Sequence, residues 1–296
     1  MPSTSPMNNT TQKDNSGTLY IVATPIGNQQ DITLRALDVL CSVDFIAAED
    51  TRKTGRFLKS RGIKARFISY HEHNEKRRCP QLLEKLASGL SVAIVSNAGT
   101  PSVSDPGFRL VQKAIDQNIR IIPIPGASAA VSALSASGLP SDGFTFIGFL
   151  ARKRGRRTKQ LMRLVDLPWT IIIYESPKRL IGLLDDIYQI MGDRSAVLAR
   201  EMTKRHEEFL RGRLSELMQV LAERPDIKGE CTLIVAGRSA EAAVDTVCLK
   251  EELTSRLKQK NMTLSEIVRE VVEKTGLPKK QVYSEALNIK KMINHE

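Results

Sequence analysis

Between Gly17 and about Pro125, short apolar runs alternate with amphipathic stretches, and no hairpin turn joins one run to the next. Strands reached only through helices pair in parallel, so this stretch is expected to form an α/β domain on a largely parallel sheet. The expected strands are Leu19–Thr24, Phe45–Ala48, Arg66–Ser69, Val92–Val95 and Arg120–Ile124. The expected helices are a run bearing Leu34, Leu37, Val39 and Leu40 that Asp31 should cap, then Thr51–Arg61, Cys79–Ser88 and Pro106–Gln117.

A second set follows Gly138-Leu139-Pro140, which reads as a hinge. Strands are expected at 144–150, 170–174, 196–199 and 232–236, separated by helices at about 155–166, 177–191 and 213–223. An extra strand at 207–212 sits so close in sequence to its neighbour that this second sheet should be mixed. The expected division is a disordered tail at 1–16, α/β domains at 17–138 and 139–239, and a small helical module at 240–296. In that module Leu264, Ile267, Val268, Val271 and Val272 form one apolar face. Thr275-Gly276-Leu277-Pro278 makes a turn, and Val282, Tyr283, Leu287 and Ile289 mark the next helix, as in a helix-turn-helix.

No apolar run reaches the roughly 18 residues of a membrane span, and Met1 to Gly17 has no apolar core of a signal peptide. The four cysteines, Cys41, Cys79, Cys231 and Cys248, show no short spacing, which fits a reducing cytoplasm and no zinc site. His71 and His73 could share one face of an extended segment, but the only other histidines are His206 and His295, so the pair reads as an exposed polar loop and no metal is expected. Dinucleotide, P-loop and serine-hydrolase glycine motifs are all missing.

The chain carries 44 Lys and Arg against 33 Asp and Glu, a net charge of +11. Two acid-free stretches, 51–66 and 151–163, hold fourteen of the cations, more than the whole surplus. Such runs suit phosphate contacts with an anionic partner, nucleic acid first, and Arg52, Lys53, Arg56, Arg152, Lys153, Arg154, Arg156 and Arg157 are the expected contacts. Residues 241–296 have ten basic and nine acidic side chains, too balanced for a DNA-reading helix.

Ligands of open α/β sheets bind at the carboxyl ends of strands. Four strand ends here are rich in small residues and Pro: Thr24–Asn28, Ser96–Gly107, Pro125–Ala129 and Tyr174–Pro177. Small side chains let backbone groups approach a ligand closely, and Pro limits the entropy lost on binding.

These loops carry a resemblance. Leu19-Tyr20-Ile21-Val22-Ala23-Thr24-Pro25-Ile26-Gly27-Asn28 with Asp31-Ile32-Thr33 resembles the opening of the tetrapyrrole methylase superfamily. Ala48–Arg52, Tyr70–Asn74, Ser96–Gly107, Tyr174–Pro177 and Arg200–Lys204 resemble one branch, the ribosomal RNA small subunit methyltransferase I family. The likeness runs from about Gly17 over the rest of the chain, with six motifs in order. It implies two α/β domains with the cofactor cleft between them, and a homodimer in the cytoplasm. It also implies S-adenosylmethionine-dependent methylation of the ribose 2′-oxygen of a cytidine in the decoding region of small-subunit ribosomal RNA. The family usually has Asp where this chain has Asn97, which accepts a hydrogen bond but brings no charge.

By the resemblance, Pro25 and Ile26 lie against the cofactor. Asn97, Ala98, Gly99, Thr100, Pro101 and Ser102, with Ser128 and Ala129, line its other side, and Tyr174, Met202 and Thr232 complete the site. Proton removal from a ribose hydroxyl calls for a carboxylate or a lysine of lowered pKa. Glu49 and Glu201 are the expected base or orienting groups, with Arg52 and Lys204 binding phosphate or developing charge. Salt-bridged helix starts and plain core packing explain the same residues, and both readings stand at this stage. Two other functions also stay open: a methyltransferase of this fold acting on a small tetrapyrrole, and a non-enzymatic nucleic-acid-binding regulator.

Overall fold

The computed structural model describes residues 17–238, 249–250, 252–257, 262–275 and 279–293. The tail at 1–16, the turn at 276–278, Cys248 and His295 lie outside them. Internal contacts divide the chain into two compact units, with the division between Ser128 and Ala129.

The first unit holds five strands, β1 (Thr18–Val22), β2 (Phe45–Ala48), β3 (Phe67–Ser69), β4 (Val92–Val95) and β5 (Arg120–Ile124), in the order β3-β2-β4-β1-β5. Every pairing is parallel, with Leu19 opposite Val92 on one side and Ile121 on the other. Helices α1 (Leu34–Ser42), α2 (Thr51–Lys59), α3 (Glu75–Ala87) and α4 (Phe108–Asp116) connect them. One face of the sheet packs Val22, Ile46, Ala48 and Val95 against Ala36, Leu40 and Leu58 of α1 and α2. The other packs Leu19, Ala47, Val92 and Ile94 against Leu82, Leu86, Leu110 and Ala114 of α3 and α4. Because both faces are covered, Val-Ala-Ile-Val of β4 is buried at every position rather than at alternate ones.

The second unit has a mixed sheet, as the extra strand led us to expect. Strands β6 (Phe144–Phe149), β7 (Thr170–Glu175), β8 (Ser195–Arg200), β9 (Glu208–Arg213) and β10 (Cys231–Val235) run in the order β6-β7-β10-β8-β9. Only β6 and β7 are parallel. Helices α5 (Ala129–Ser135), α6 (Arg154–Met162), α7 (Pro177–Met191) and α8 (Leu214–Ala222) belong to this unit, as do α9 (Leu264–Thr275) and α10 (Lys279–Ile293). The last two pack Ile267, Val268 and Val271 against Val282, Ala286 and Ile289. Of the residues expected to mark the second helix, Val282 and Ile289 are buried and Tyr283 is 42% exposed, and Ala286 is also buried.

Three local expectations are corrected, and one helix was not expected. Thr33, not Asp31, caps α1, its Oγ1 accepting the Ala36 N–H at 3.1 Å, while Asp31 ends a short 3-10 turn. Helix α3 begins at Glu75 and continues through Pro80, because Cys79, Leu82, Leu83 and Leu86 gain a buried face that outweighs one lost backbone bond. Helix α4 starts only after Gly107, whose φ of 142° lies outside helical space. Helix α5 has no apolar periodicity to announce it, being made of Ala, Ser, Val and Leu.

Candidate active site

In the first unit the loop ends of β1 and β4 are tied by backbone bonds, Thr24 N–H to Gly99 O at 2.8 Å and Gly99 N–H to Thr24 O at 2.9 Å. The Thr24 hydroxyl donates to Ser96 O at 3.1 Å. Gly99 makes this possible with φ of +76°, and Ile26 packs on its bare α-carbon, 3.6 Å from where a Cβ would stand. The Thr100 hydroxyl donates to Ala127 O at 3.3 Å, which joins the β5 loop to the same group. Thus Ile26, Gly99 and Thr100 of the 97–102 loop, and Ala127 before Ser128 are gathered in one place. Pro101 is buried; Pro25, Ala98 and Ser128 are half-buried.

Glu49 follows β2, and its Oε2 accepts the Asn97 N–H at 3.0 Å. Two buried atoms of this loop, Asn97 Oδ1 and Ser102 Oγ, have no hydrogen-bond partner. Asp50 has a different task. Its carboxylate caps α2, accepting the N–H groups of Arg52 and Lys53, and those bonds hold its pKa below the usual range. The Arg52 side chain is 88% exposed and only 3.5 Å from Asp50.

Sequence reasoning passed over Asp105, seven residues before the middle of α4. Burial, then the Glu49 carboxylate, push its pKa up to about 6. The signal was the placement of Ser102 and Ser104 in left-handed backbone, φ 71° and 63°, which no composition argument reveals.

In the second unit, Ala130 N–H donates to the Tyr174 hydroxyl at 3.0 Å, fixing the start of α5 against the end of β7. Phe146 and Phe149 meet the Tyr174 ring edge-on at 4.8 and 5.7 Å between centroids. Thr232 is buried directly across the sheet from Tyr174, and Met202 is buried after β8. Next to Met202, Glu201 has φ 51°, and its Oε1 accepts Lys204 Nζ at 2.8 Å and Glu230 N–H at 2.9 Å. The Lys204 bond, then the Glu230 bond, hold the Glu201 carboxyl below its ordinary pKa. Burial opposes charge on Lys204, but bonds to Glu201 and Glu230 outweigh it and raise its pKa. Lys204 is therefore a fixed cation and no lysine of lowered pKa.

The basic runs divide sharply. Arg52, Lys53, Arg56, Arg152, Lys153 and Arg156 are exposed. Arg157 is not a free cation: it is 8% exposed and clamps Asp186 at 2.6 Å. Arg154 joins the same pair, 2.8 Å from Asp186 and 3.4 Å from Asp185. The acids that balance these arginines come from α7, far along the chain, so the run looked acid-free only in sequence. Among the described residues, no group of three or more His, Cys, Asp or Glu is placed to hold a metal.

The profile of the Tetrapyrrole (Corrin/Porphyrin) Methylases matches residues 18–218. A protein of Micromonospora olivasterospora named Ribosomal RNA small subunit methyltransferase I is 47% identical over 271 residues, covering 91% of this chain and 86% of its own. A Halalkalibacterium halodurans protein of the same name is 44% identical over 92% of this chain and 96% of its own. Among solved structures, diphthine synthase superposes with a TM-score of 0.58 at 15% identity, over 75% of this chain and 91% of that one. Uroporphyrin-III C-methyl transferase from Thermus thermophilus complexed with S-adenyl homocysteine gives 0.53 at 17% identity, over 74% and 97%. These structures share the fold. With near-half identity over nearly its whole length, and the motif loops gathered at strand ends as described, the chain belongs to the ribosomal RNA small subunit methyltransferase I family of tetrapyrrole methylases.

Proposed function

We propose that this protein transfers a methyl group from S-adenosylmethionine to the ribose 2′-oxygen of a cytidine in the decoding region of small-subunit ribosomal RNA. The observation that carries the reading is the identity of 44 to 47%, over 91 to 92% of this chain, with proteins named for ribosomal RNA methylation. No helix among the described residues is long and apolar enough to cross a membrane. The protein works in the cytoplasm, where its substrate is, and as a homodimer.

The residues present fit the cofactor. Asn97 Oδ1 and Ser102 Oγ are buried and unpartnered, which suits them to the hydroxyls and amino group of a ligand. Gly99 and Gly126 leave backbone uncovered; a Cβ on Gly126 would stand 2.9 Å from Ala23 Cβ. In the first unit Pro25, Ile26, Asn97–Ser102 and Ser128 hold the cofactor; in the second, Ala129, Tyr174, Met202 and Thr232 do. When bound, S-adenosylmethionine supplies an electrophilic methyl group on a sulfonium sulfur. Much of the acceleration comes from holding the ribose oxygen in line with it. Glu49 orients the 97–102 loop through the Asn97 N–H. Glu201 and Lys204 form a fixed ion pair, with Lys204 and Arg52 available to RNA phosphate. Arg52, Lys53, Arg56, Arg152, Lys153 and Arg156 contact the RNA backbone.

We retain 17–138, 139–239 and 240–296 as the functional division, to be tested by activity of a chain ending near 239. The main test incubates the protein with labelled S-adenosylmethionine and small ribosomal subunits, free ribosomal RNA, DNA or a tetrapyrrole. Label at a cytidine ribose of small-subunit RNA is expected; label only on the tetrapyrrole, or on nothing, overturns the reading. Sedimentation at micromolar concentration tests the dimer.

A further inference from the structure

Resting on the methyl-transfer reading, we propose that Phe149 stacks an unpaired base of the RNA beside the ribose to be methylated, while Arg152 and Lys153 take the adjoining phosphates. Three features of the second unit point there.

The first is a bulge that turns Phe149 outward. Strand β6 runs parallel to β7 with Phe146 opposite Ile172, Gly148 opposite Ile173 and Phe149 opposite Tyr174. Ile147 is the extra residue, and Gly148 accommodates it with φ +67°. In a regular strand, residues three apart point to opposite faces. The bulge cancels that alternation, so Phe146 and Phe149 share the face of Ile172 and Tyr174. Ile147 and Leu150 take the other face, in the core with Ile171 and Ile173. Phe149 is thereby kept out of that core and stays 57% exposed.

The second is the support behind the ring. Tyr174 meets Phe149 edge-on at 5.7 Å between centroids, and its own hydroxyl is held by the Ala130 N–H at 3.0 Å. A single exposed phenylalanine is ordinary on a protein surface. This one is braced by a second aromatic side chain at the carboxyl end of a strand, the end at which α/β sheets bind ligands. It presents a flat apolar surface that does not have to be ordered when a planar group lands on it.

The third is the charge beside it. Arg152 and Lys153 follow within four residues, and both are exposed. The backbone between ring and cations is fixed at two successive residues. Leu150 O accepts from Arg179 Nη2 at 2.8 Å, and Ala151 N–H donates to Gln160 Oε1 at 2.9 Å. Arg179 is in turn held by the buried Glu175 carboxylate at 2.8 Å. Ring and cations therefore keep a constant spacing. An exposed ring next to exposed cations suits single-stranded nucleic acid, with the base on the ring and the phosphates on the cations. The cations favour a polyanion over an apolar partner.

A stacked base deprives its nucleotide of rotational freedom, which is what an in-line attack by the ribose oxygen requires. Every base has a face to stack, so Phe149 is a positioning residue for the nucleotide and does not by itself select cytosine.

The test compares Phe149→Ala, Phe149→Leu and Phe149→Trp. Filter binding to small ribosomal subunits is measured across salt concentrations, and methyl transfer to them at saturating S-adenosylmethionine. The leucine variant keeps apolar bulk and lacks a π face. The alanine and leucine variants should bind subunits roughly tenfold or more weakly. Their KM for subunits should rise, while the salt slope stays that of the parent because no phosphate contact is lost. Melting should stay within about 2 °C of the parent, as for an exposed side chain. Phe149→Trp should bind as tightly as the parent. Subunit binding by Phe149→Ala within about twofold of the parent, or full binding by Phe149→Leu, overturns the proposal. Weakened calorimetric binding of S-adenosylmethionine by Phe149→Ala would assign the ring to the cofactor, and dissociation of a dimer on sedimentation would assign it to a second copy of the chain. Either result overturns the proposal as well. If the parent methylates no RNA, the underlying reading fails first and the proposal with it. If parent and Phe149→Ala methylate RNA with equal KM, the proposal alone fails.

Discussion

Glu49 Oε2 accepts the Asn97 N–H at 3.0 Å, so a carboxylate at the end of β2 fixes the backbone at the end of β4. A hydrogen bond to a charged group is worth about 1.5–3 kcal/mol. Glu49→Ala should therefore lower stability by about 2 kcal/mol, read by urea denaturation, and weaken S-adenosylmethionine binding. Glu49→Gln keeps an acceptor and should lose less of both. Equal losses for the two variants would mean that the charge, and not the bond, orders the loop.

Arg156 and Arg157 are neighbours with opposite tasks. Arg157 clamps the buried Asp186 at 2.6 Å, and removing one partner of such a pair leaves an uncompensated buried charge. Arg157→Ala should cost about 3 kcal/mol in chemical denaturation. Arg156→Ala should leave stability within about 0.5 kcal/mol. It should weaken RNA binding and reduce its salt dependence by about one counterion, measured by filter binding across salt concentrations.

Tyr174→Phe removes the hydroxyl that accepts the Ala130 N–H at 3.0 Å while keeping the ring between Phe146 and Phe149. We expect a loss of about 1 kcal/mol in stability. Calorimetry should show several-fold weaker cofactor binding as α5 loses its fixed start. Unchanged affinity would remove this contact from the cofactor site.

Glu208 has its carboxyl lowered to about 2, first by the hydrogen bond from Arg224 and then by that from Arg200. A depressed carboxyl stabilises the fold above its unfolded pKa, and that contribution is lost as pH falls through the folded value. Glu208→Gln should melt lower than the parent at pH 7. The difference should shrink between about pH 4.5 and pH 2, followed by thermal denaturation at each pH.

Much of the fold was legible along the chain because its causes are local. Val-Ala-Ile-Val in β4 needs only its own composition to read as a strand covered on both faces, and the close pair β8 and β9 announces a mixed sheet. The loops of the site were legible as motifs for a related reason. In the 96–107 turn Gly99 and Gly107 stand at φ +76° and +142°, where glycine is the residue that fits, so that much of the turn is written in its glycines. Helix α5 was not legible, since Ala-Ala-Val-Ser-Ala-Leu-Ser is apolar nearly throughout, and its inward face of Ala130, Ala133 and Leu134 is decided by contacts within the second unit.

Sequence by itself determined the alternation of strands and helices, the family, and the location of the motif loops at strand ends. Periodicity, turn chemistry and backbone freedom act over a few residues, and a linear reading contains them. Only the tertiary structure decided what each charged side chain does. Asp50 became a helix cap, Arg157 a buried partner of Asp186, Glu201 the anchor of Lys204, and Glu49 the acceptor of the Asn97 N–H. Charge interacts through space and depends on burial, and groups that neutralise one another here include Asp166 and Arg238, 72 positions apart.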